Sequence, residues 1–189
     1  MFYFTGCNHF GHANIIKYCN RPFKNVEQMD EIMIAAWNDH VKPNDIVYCL
    51  GDFAFHSREK IENLLARLNG ILYLIPGNHD RLKKYKDTKI NILPPLTTVD
   101  INGKMLVLCH YPLLVWENSH YGSWQLYSHV HGTLGELPLA SMDVGVDAVG
   151  YAPVSFEYVQ AHLSAKKKND PNWCRLLPGA PEEWKIASA

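Results

Sequence analysis

Five apolar runs in this chain each end in a residue able to bind a metal ion. Residues 2–5 lead into Gly6-Cys7-Asn8-His9, and 46–50 lead into Gly51-Asp52. Residues 71–75 lead into Pro76-Gly77-Asn78-His79-Asp80, 105–109 into His110, and 126–127 into Ser128-His129-Val130-His131. In α/β proteins the carboxyl ends of strands line the ligand crevice. Loops far apart in sequence are therefore expected to meet at one place.

Helices are expected between these runs. Over 25–41, Met29, Met33, Ala36, Trp37 and His40 recur at helical spacing, with Asn25 as cap and Gln28 three residues on. Over 58–68, Ile61, Leu64, Leu65 and Leu68 share a face, Ser57 can cap, and Asn69-Gly70 ends the helix. Residues 97–101 and 104–109 read as a hairpin around Asn102-Gly103. A last helix starts after Ser155 and runs toward Lys166.

With 189 residues, 47% of them hydrophobic and 20% charged, the chain fits one globular domain with a real core. The domain is expected over 1–166, with 167–189 a partly irregular extension that carries Lys167-Lys168, Pro171, Pro178 and Pro181. A net charge of −1 gives no global attraction to nucleic acid or membrane, so an anionic substrate must be caught locally. Nothing in MFYFTG reads as a secretory signal, and no apolar stretch reaches the roughly 18 residues of a membrane span. Cys7, Cys19, Cys49, Cys109 and Cys174 are scattered and odd in number, which suits a reducing compartment. Cytoplasm is expected, and a phage could equally encode such a chain. The sequence leaves the oligomeric state open.

Imidazole, carboxylate and amide oxygen form a mixed nitrogen and oxygen donor set, suited to Mn, Fe, Zn, Co or Ni rather than Ca or Mg. The candidates are too many for one tetrahedral ion, so two divalent transition metal ions are expected. Paired ions roughly 3.5–4 Å apart are a known device for in-line displacement at phosphorus. The tightly spaced cysteine pairs of a structural zinc site are absent.

Taken in order, Cys7-Asn8-His9, Gly51-Asp52, Gly77-Asn78-His79-Asp80, His110 and Ser128-His129-Val130-His131 resemble the calcineurin-like metallophosphoesterase superfamily, in particular its small single-domain bacterial and phage members. The family pattern is Asp-x-His, Gly-Asp, Gly-Asn-His-Asp/Glu, a lone His and Gly-His-x-His. The resemblance runs over residues 2 to about 160. It implies a four-layer αββα sandwich, two mixed sheets face to face with helices outside. It implies His9 and His131 on a first metal, Asp52 bridging, and Asn78, His110 and His129 on a second. A metal-bridging hydroxide would attack phosphorus. His79 would face the substrate with Asn78 and protonate the leaving oxygen, and Asp80 would orient the loop. The implied activity is phosphate ester hydrolysis. Phosphodiesters are favoured because His79 can protonate an alkoxide, and nucleotides and nucleic-acid ends are among the substrates that fit. The competing reading is a catalytically degenerate binding module on the same fold.

Cys7 stands where the family has aspartate. A thiolate can replace a carboxylate as an anionic ligand, and its softness would tilt the first site toward Zn or Fe. The other reading is a weakened first site, leaving one metal or none. Ser128 replaces a glycine, a change read as harmless. His12 and Arg21 are substrate candidates, Arg21 as a bidentate phosphate donor or, equally, one half of a surface ion pair. Asp143 and Asp147 are expected to make structural hydrogen bonds or support a His ligand. Arg81, Lys83, Lys84 and Lys86 form a basic cluster, read as a solvated helix face or a cationic rim. His40, His56, His120 and His162 are read as structural, and Cys109 as core.

Overall fold

A computed structural model describes residues 1–164 and 166, apart from 136 and 138. The expected extension over 167–189, with Cys174, lies outside the described residues.

The first sheet is built from β1 (Phe2–Thr5), β2 (Ile46–Cys49), β3 (Ile71–Leu74), β4 (Asn91–Ile92) and β9 (Val154–Ser155). Its order is β4-β3-β2-β1-β9, parallel except for the β1–β9 pair. The second sheet holds β5 (Leu96–Ile101), β6 (Lys104–Cys109), β7 (Trp124–Tyr127) and β8 (Ser141–Asp143) in sequence order. β5 and β6 form the expected hairpin, with Ile101 opposite Lys104, and β6, β7 and β8 run parallel. Both sheets are therefore mixed, as expected, and helices flank them.

Alternation along the strands divides the core. Tyr3, Val47 and Leu72 are register partners and point to one face of the first sheet, where α2 (Val26–His40) and α3 (Arg58–Arg67) bury Met29, Met33, Trp37, Ile61 and Leu64. Phe4 points to the other face and meets Leu106, Leu108, Leu126 and Met142 of the second sheet, with Phe156, Val159 and Leu163 of α5 (Phe156–Leu163). Phe4, Tyr48 and Tyr73, also in register, form an aromatic row across three strands, Phe4 stacked on Tyr48 at 5.8 Å between ring centroids and Tyr73 tilted against Tyr48 at 5.5 Å.

The expected caps Asn25 and Ser57 hold, and Ser155, before the last helix, also serves as one. Asn25 accepts from the Gln28 amide at 2.8 Å, Ser57 from Lys60 at 3.4 Å and Ser155 from Tyr158 at 3.2 Å. The six-residue α1 (Ala13–Tyr18) and four-residue α4 (Val146–Val149) have no side-chain cap, and the sequence reading missed both.

The parallel strands bring the loops after β1, β2 and β3 to one edge, and those after β6 and β7 to the same place. The loops are zipped together by backbone bonds from Cys7 N to Gly51 O, His9 N to Asp52 O and Phe10 N to Phe53 O, at 2.9, 2.9 and 3.0 Å.

Candidate metal centre

Non-glycine residues avoid positive φ because Cβ crowds the backbone. Cys7 (φ 49°), His9 (55°), Asp52 (54°), His129 (70°) and His131 (49°) all adopt it. Five of the seven expected ligands are thus held in a costly conformation, the kind of strain that clusters at functional sites. Beneath them Gly51 (φ 88°) and Gly77 pack backbone to backbone. A Cβ on Gly51 would lie 2.5 Å from Gly77 N, and one on Gly77 would lie 2.7 Å from Asp52 N. Only glycine permits that approach.

Around the Nε2 atom of His110 stand Asp52 Oδ2 at 3.5 Å, Asn78 Oδ1 at 3.0 Å and His129 Nδ1 at 3.1 Å. The opposite ring nitrogen of His110 donates to Leu50 O at 2.7 Å, so the Nε2 lone pair faces the cluster. On the other side, Cys7, His9 and His131 offer ligand atoms all within 4.8 Å of one another, and so do Cys7, Asp52 and His110. His131 Nδ1 donates to Asp147 at 2.6 Å, which leaves Nε2 as its lone-pair nitrogen.

His9 tests whether these residues fit a metal. It is only 2% exposed, and its Nε2 has no hydrogen-bond partner among the described residues. Asp52 Oδ2, at 3.7 Å, is too far to accept a hydrogen bond from it. A buried polar atom is rarely left unpaired, and here it looks into a set of imidazole nitrogens, a carboxylate and a thiol. The donor set fits divalent cations.

Burial, with the positive charge of Arg21 and the neighbouring imidazoles, pushes the pKa of His9 down from 6.5 to about 2. Its lone pair therefore stays available at acid pH. The same shift carries a stability cost. Between pH 6.5 and 2 the unfolded chain binds a proton at this position and the folded chain does not, so stability falls as pH falls. Urea unfolding of the chelator-treated protein should show a loss of about 1–2 kcal/mol from this residue between pH 6.5 and 5. His9→Asn should flatten the slope by that amount, and an unchanged slope would contradict the assignment.

Arg21 is a correction. Its side chain is fully buried, and Nε and Nη2 each reach Asp147 at 2.8 Å. Nη1 donates to Asn8 O at 3.0 Å and Nη2 to Cys7 O at 2.8 Å. Its donors are spent inside the fold, so it is neither a phosphate clamp nor a surface ion pair. It ties the first motif to Asp147, which orients His131. Burial alone would raise the Asp147 carboxyl, but hydrogen bonds from His131 and Arg21 outweigh it and hold the pKa below the usual range. Asp147 thus makes a structural hydrogen bond to the ring of His131, one of the expected ligands, while Asp143 accepts from Gly132 N at 2.9 Å and Gly145 N at 2.8 Å. Cys19 lies within 4.8 Å of His131 and Asp147, but Asp147 is already held by Arg21, so this trio supports His131 rather than forming a separate site.

Asp80 orients its loop. Its carboxylate accepts from Asp52 N at 2.7 Å, Gly77 N at 2.9 Å, Phe53 N at 3.1 Å and Tyr85 OH at 2.8 Å. His79 is exposed, its amide donating to Asp52 Oδ1 at 2.9 Å and its ring centroid 6.0 Å from that of His9. His12 stacks on Phe55 at 4.0 Å and sits 3.3 Å from His9 between Nδ1 atoms, at the rim. Phe55 also packs against His79, at 5.2 Å, and Tyr111 against His129, at 4.7 Å. No motif singled out these two aromatic walls. His56 pairs with Asp30 at 3.0 Å and His40 bonds Ala36 O at 2.8 Å, both structural as expected. Lys84 donates to His56 O at 2.7 Å, so the basic cluster is partly tied to the fold.

The calcineurin-like phosphoesterase family matches this chain over residues 1–172. The chain belongs to that family. The phosphoesterase is 36% identical over 166 residues to the uncharacterized protein MJ1445 of Methanocaldococcus jannaschii, covering 83% of this chain and 88% of that one. The solved structure of a protein of unknown function from Aquifex aeolicus, AQ665, superposes with a TM-score of 0.69 at 25% identity, over 86% of this chain and 98% of that one. Family membership makes the phosphoesterase a metal-dependent phosphoester hydrolase in general terms. Among the described residues no helix is long and apolar enough to cross a membrane.

Proposed function

We propose that this chain is a phosphodiesterase working at a dinuclear metal centre. The observation that carries the reading is the place of His79: an exposed imidazole beside His9, on a loop whose amide is anchored to Asp52. His9 and His131, with Cys7, would hold one ion, Asn78, His110 and His129 the other, and Asp52 both. When bound, two ions of Mn, Fe, Zn, Ni or Co would supply the positive charge that polarises the phosphoryl oxygens and activates water.

The chain's own residues do the rest. Asn78 and the His79 loop orient the ester over the centre, and the His79 ring holds the proton that the departing alkoxide takes up. Phe55 and Tyr111 wall the site. Exposed Tyr18, whose ring lies 6.2 Å from His12, and Tyr111 support a substrate with a planar group, such as a nucleotide or a nucleic-acid end.

The test is turnover of bis(p-nitrophenyl) phosphate against p-nitrophenyl phosphate with added Mn, Co or Zn. The reading expects faster release from the diester. Faster release from the monoester would replace diesterase by monoesterase on the same centre. A scaffold that binds without turnover would release nothing from either.

A further inference from the structure

We infer that the Cys7 thiolate is a ligand shared by both ion positions, bridging them alongside the Asp52 carboxylate. The inference rests on the dinuclear reading above. Cys7 is common to the two ligand groups of the centre, its sulfur lying within 4.8 Å of donors on His9 and His131 and within 4.8 Å of donors on Asp52 and His110. Two donors of one ion bound at about 2.0–2.3 Å each are separated by no more than roughly 4.6 Å, so the sulfur is within about that reach of His9 and His131 on one side and of Asp52 and His110 on the other. A thiolate has lone pairs for two ions.

The Nε2 of buried His9, in the same group as Cys7 and without a hydrogen-bond partner among the described residues, is a second and independent sign that this group suits a cation. The hydrogen bonds around the cysteines are a third. Cys49 is equally buried, but its sulfur donates, to Asn8 Oδ1 at 3.4 Å. The sulfur of Cys7 accepts, from the His129 amide at 3.1 Å. An amide aimed at sulfur marks it as a lone-pair donor, the role a metal ligand plays. The left-handed backbone of Cys7, pinned by Arg21 on its carbonyl, aims the sulfur inward; a small apolar filler would need none of this. Sulfur in both coordination shells favours Zn, Fe or Co over Mn and Mg.

Cobalt(II) titration of the full, chelator-treated chain under anaerobic conditions tests this, read by the near-ultraviolet sulfur-to-cobalt charge-transfer band. The band should grow through two equivalents. It should be missing in Cys7→Ser and kept in Cys19→Ser, Cys49→Ser, Cys109→Ser and Cys174→Ser. If Cys7→Ser does not fold, the wild-type stoichiometry and the other cysteine variants still assign the band. A band complete at one equivalent would overturn the sharing, leaving Cys7 on a single ion. Two bound cobalt ions with no band would remove Cys7 from the centre while leaving the dinuclear reading intact. Failure to bind cobalt at all would sink both.

Discussion

His79→Ala lowers turnover of a phosphodiester with a poor, alkoxide leaving group by about 10²–10⁴-fold, the usual contribution of a positioned general acid. Metal content stays at the wild-type level, because the bond that anchors this residue to Asp52 comes from its backbone amide, which alanine retains. The loss should depend on the leaving group. A nitrophenolate departs without a proton, so bis(p-nitrophenyl) phosphate should suffer far less than an alkyl ester. Steady-state rates on the two substrates, with elemental analysis of the same samples, check this. An equal loss on both would show that the ring orients the phosphate and does not protonate the leaving oxygen.

Asp80→Ala destabilises the chelator-treated protein by about 3–5 kcal/mol, because three backbone amides and the Tyr85 hydroxyl lose their acceptor. These amides belong to the loops after β2 and β3, so the loss also frees Asp52 and Asn78 from their common frame, and metal affinity falls with stability. Asp80→Asn keeps one acceptor oxygen and should cost less. Asp87→Ala, exposed and 3.9 Å from Arg58, should change little. Urea unfolding of the three variants reads the order. An Asp80→Ala chain as stable as wild type would contradict the account of the loop frame.

What the sequence made legible follows from which interactions are local. Asn25, Ser57 and Ser155 cap helices through bonds to amides three residues on, and the turn at Asn102-Gly103 sets the hairpin register by itself. Such signals lie within a short window. The convergence of the five loops was also readable, because parallel strands put their carboxyl ends on one edge. Arg21 was not. Its partner Asp147 is 126 residues away, and an arginine in a loop gives no sign that it will be buried. The placing of Phe55 and Tyr111 was hidden for the same reason, since neither sits in a periodic apolar run. Cys7 stood out only as a departure from the family pattern; that its sulfur faces both ligand groups is a property of the fold.

Metal content and phosphodiester turnover, measured on one sample of purified protein, test the central claim most directly. The account predicts about two transition metal ions per chain, with turnover that a chelator abolishes and added Zn, Co or Mn restores. One ion or none, with no turnover after reconstitution, would contradict it and leave a degenerate site with a binding role.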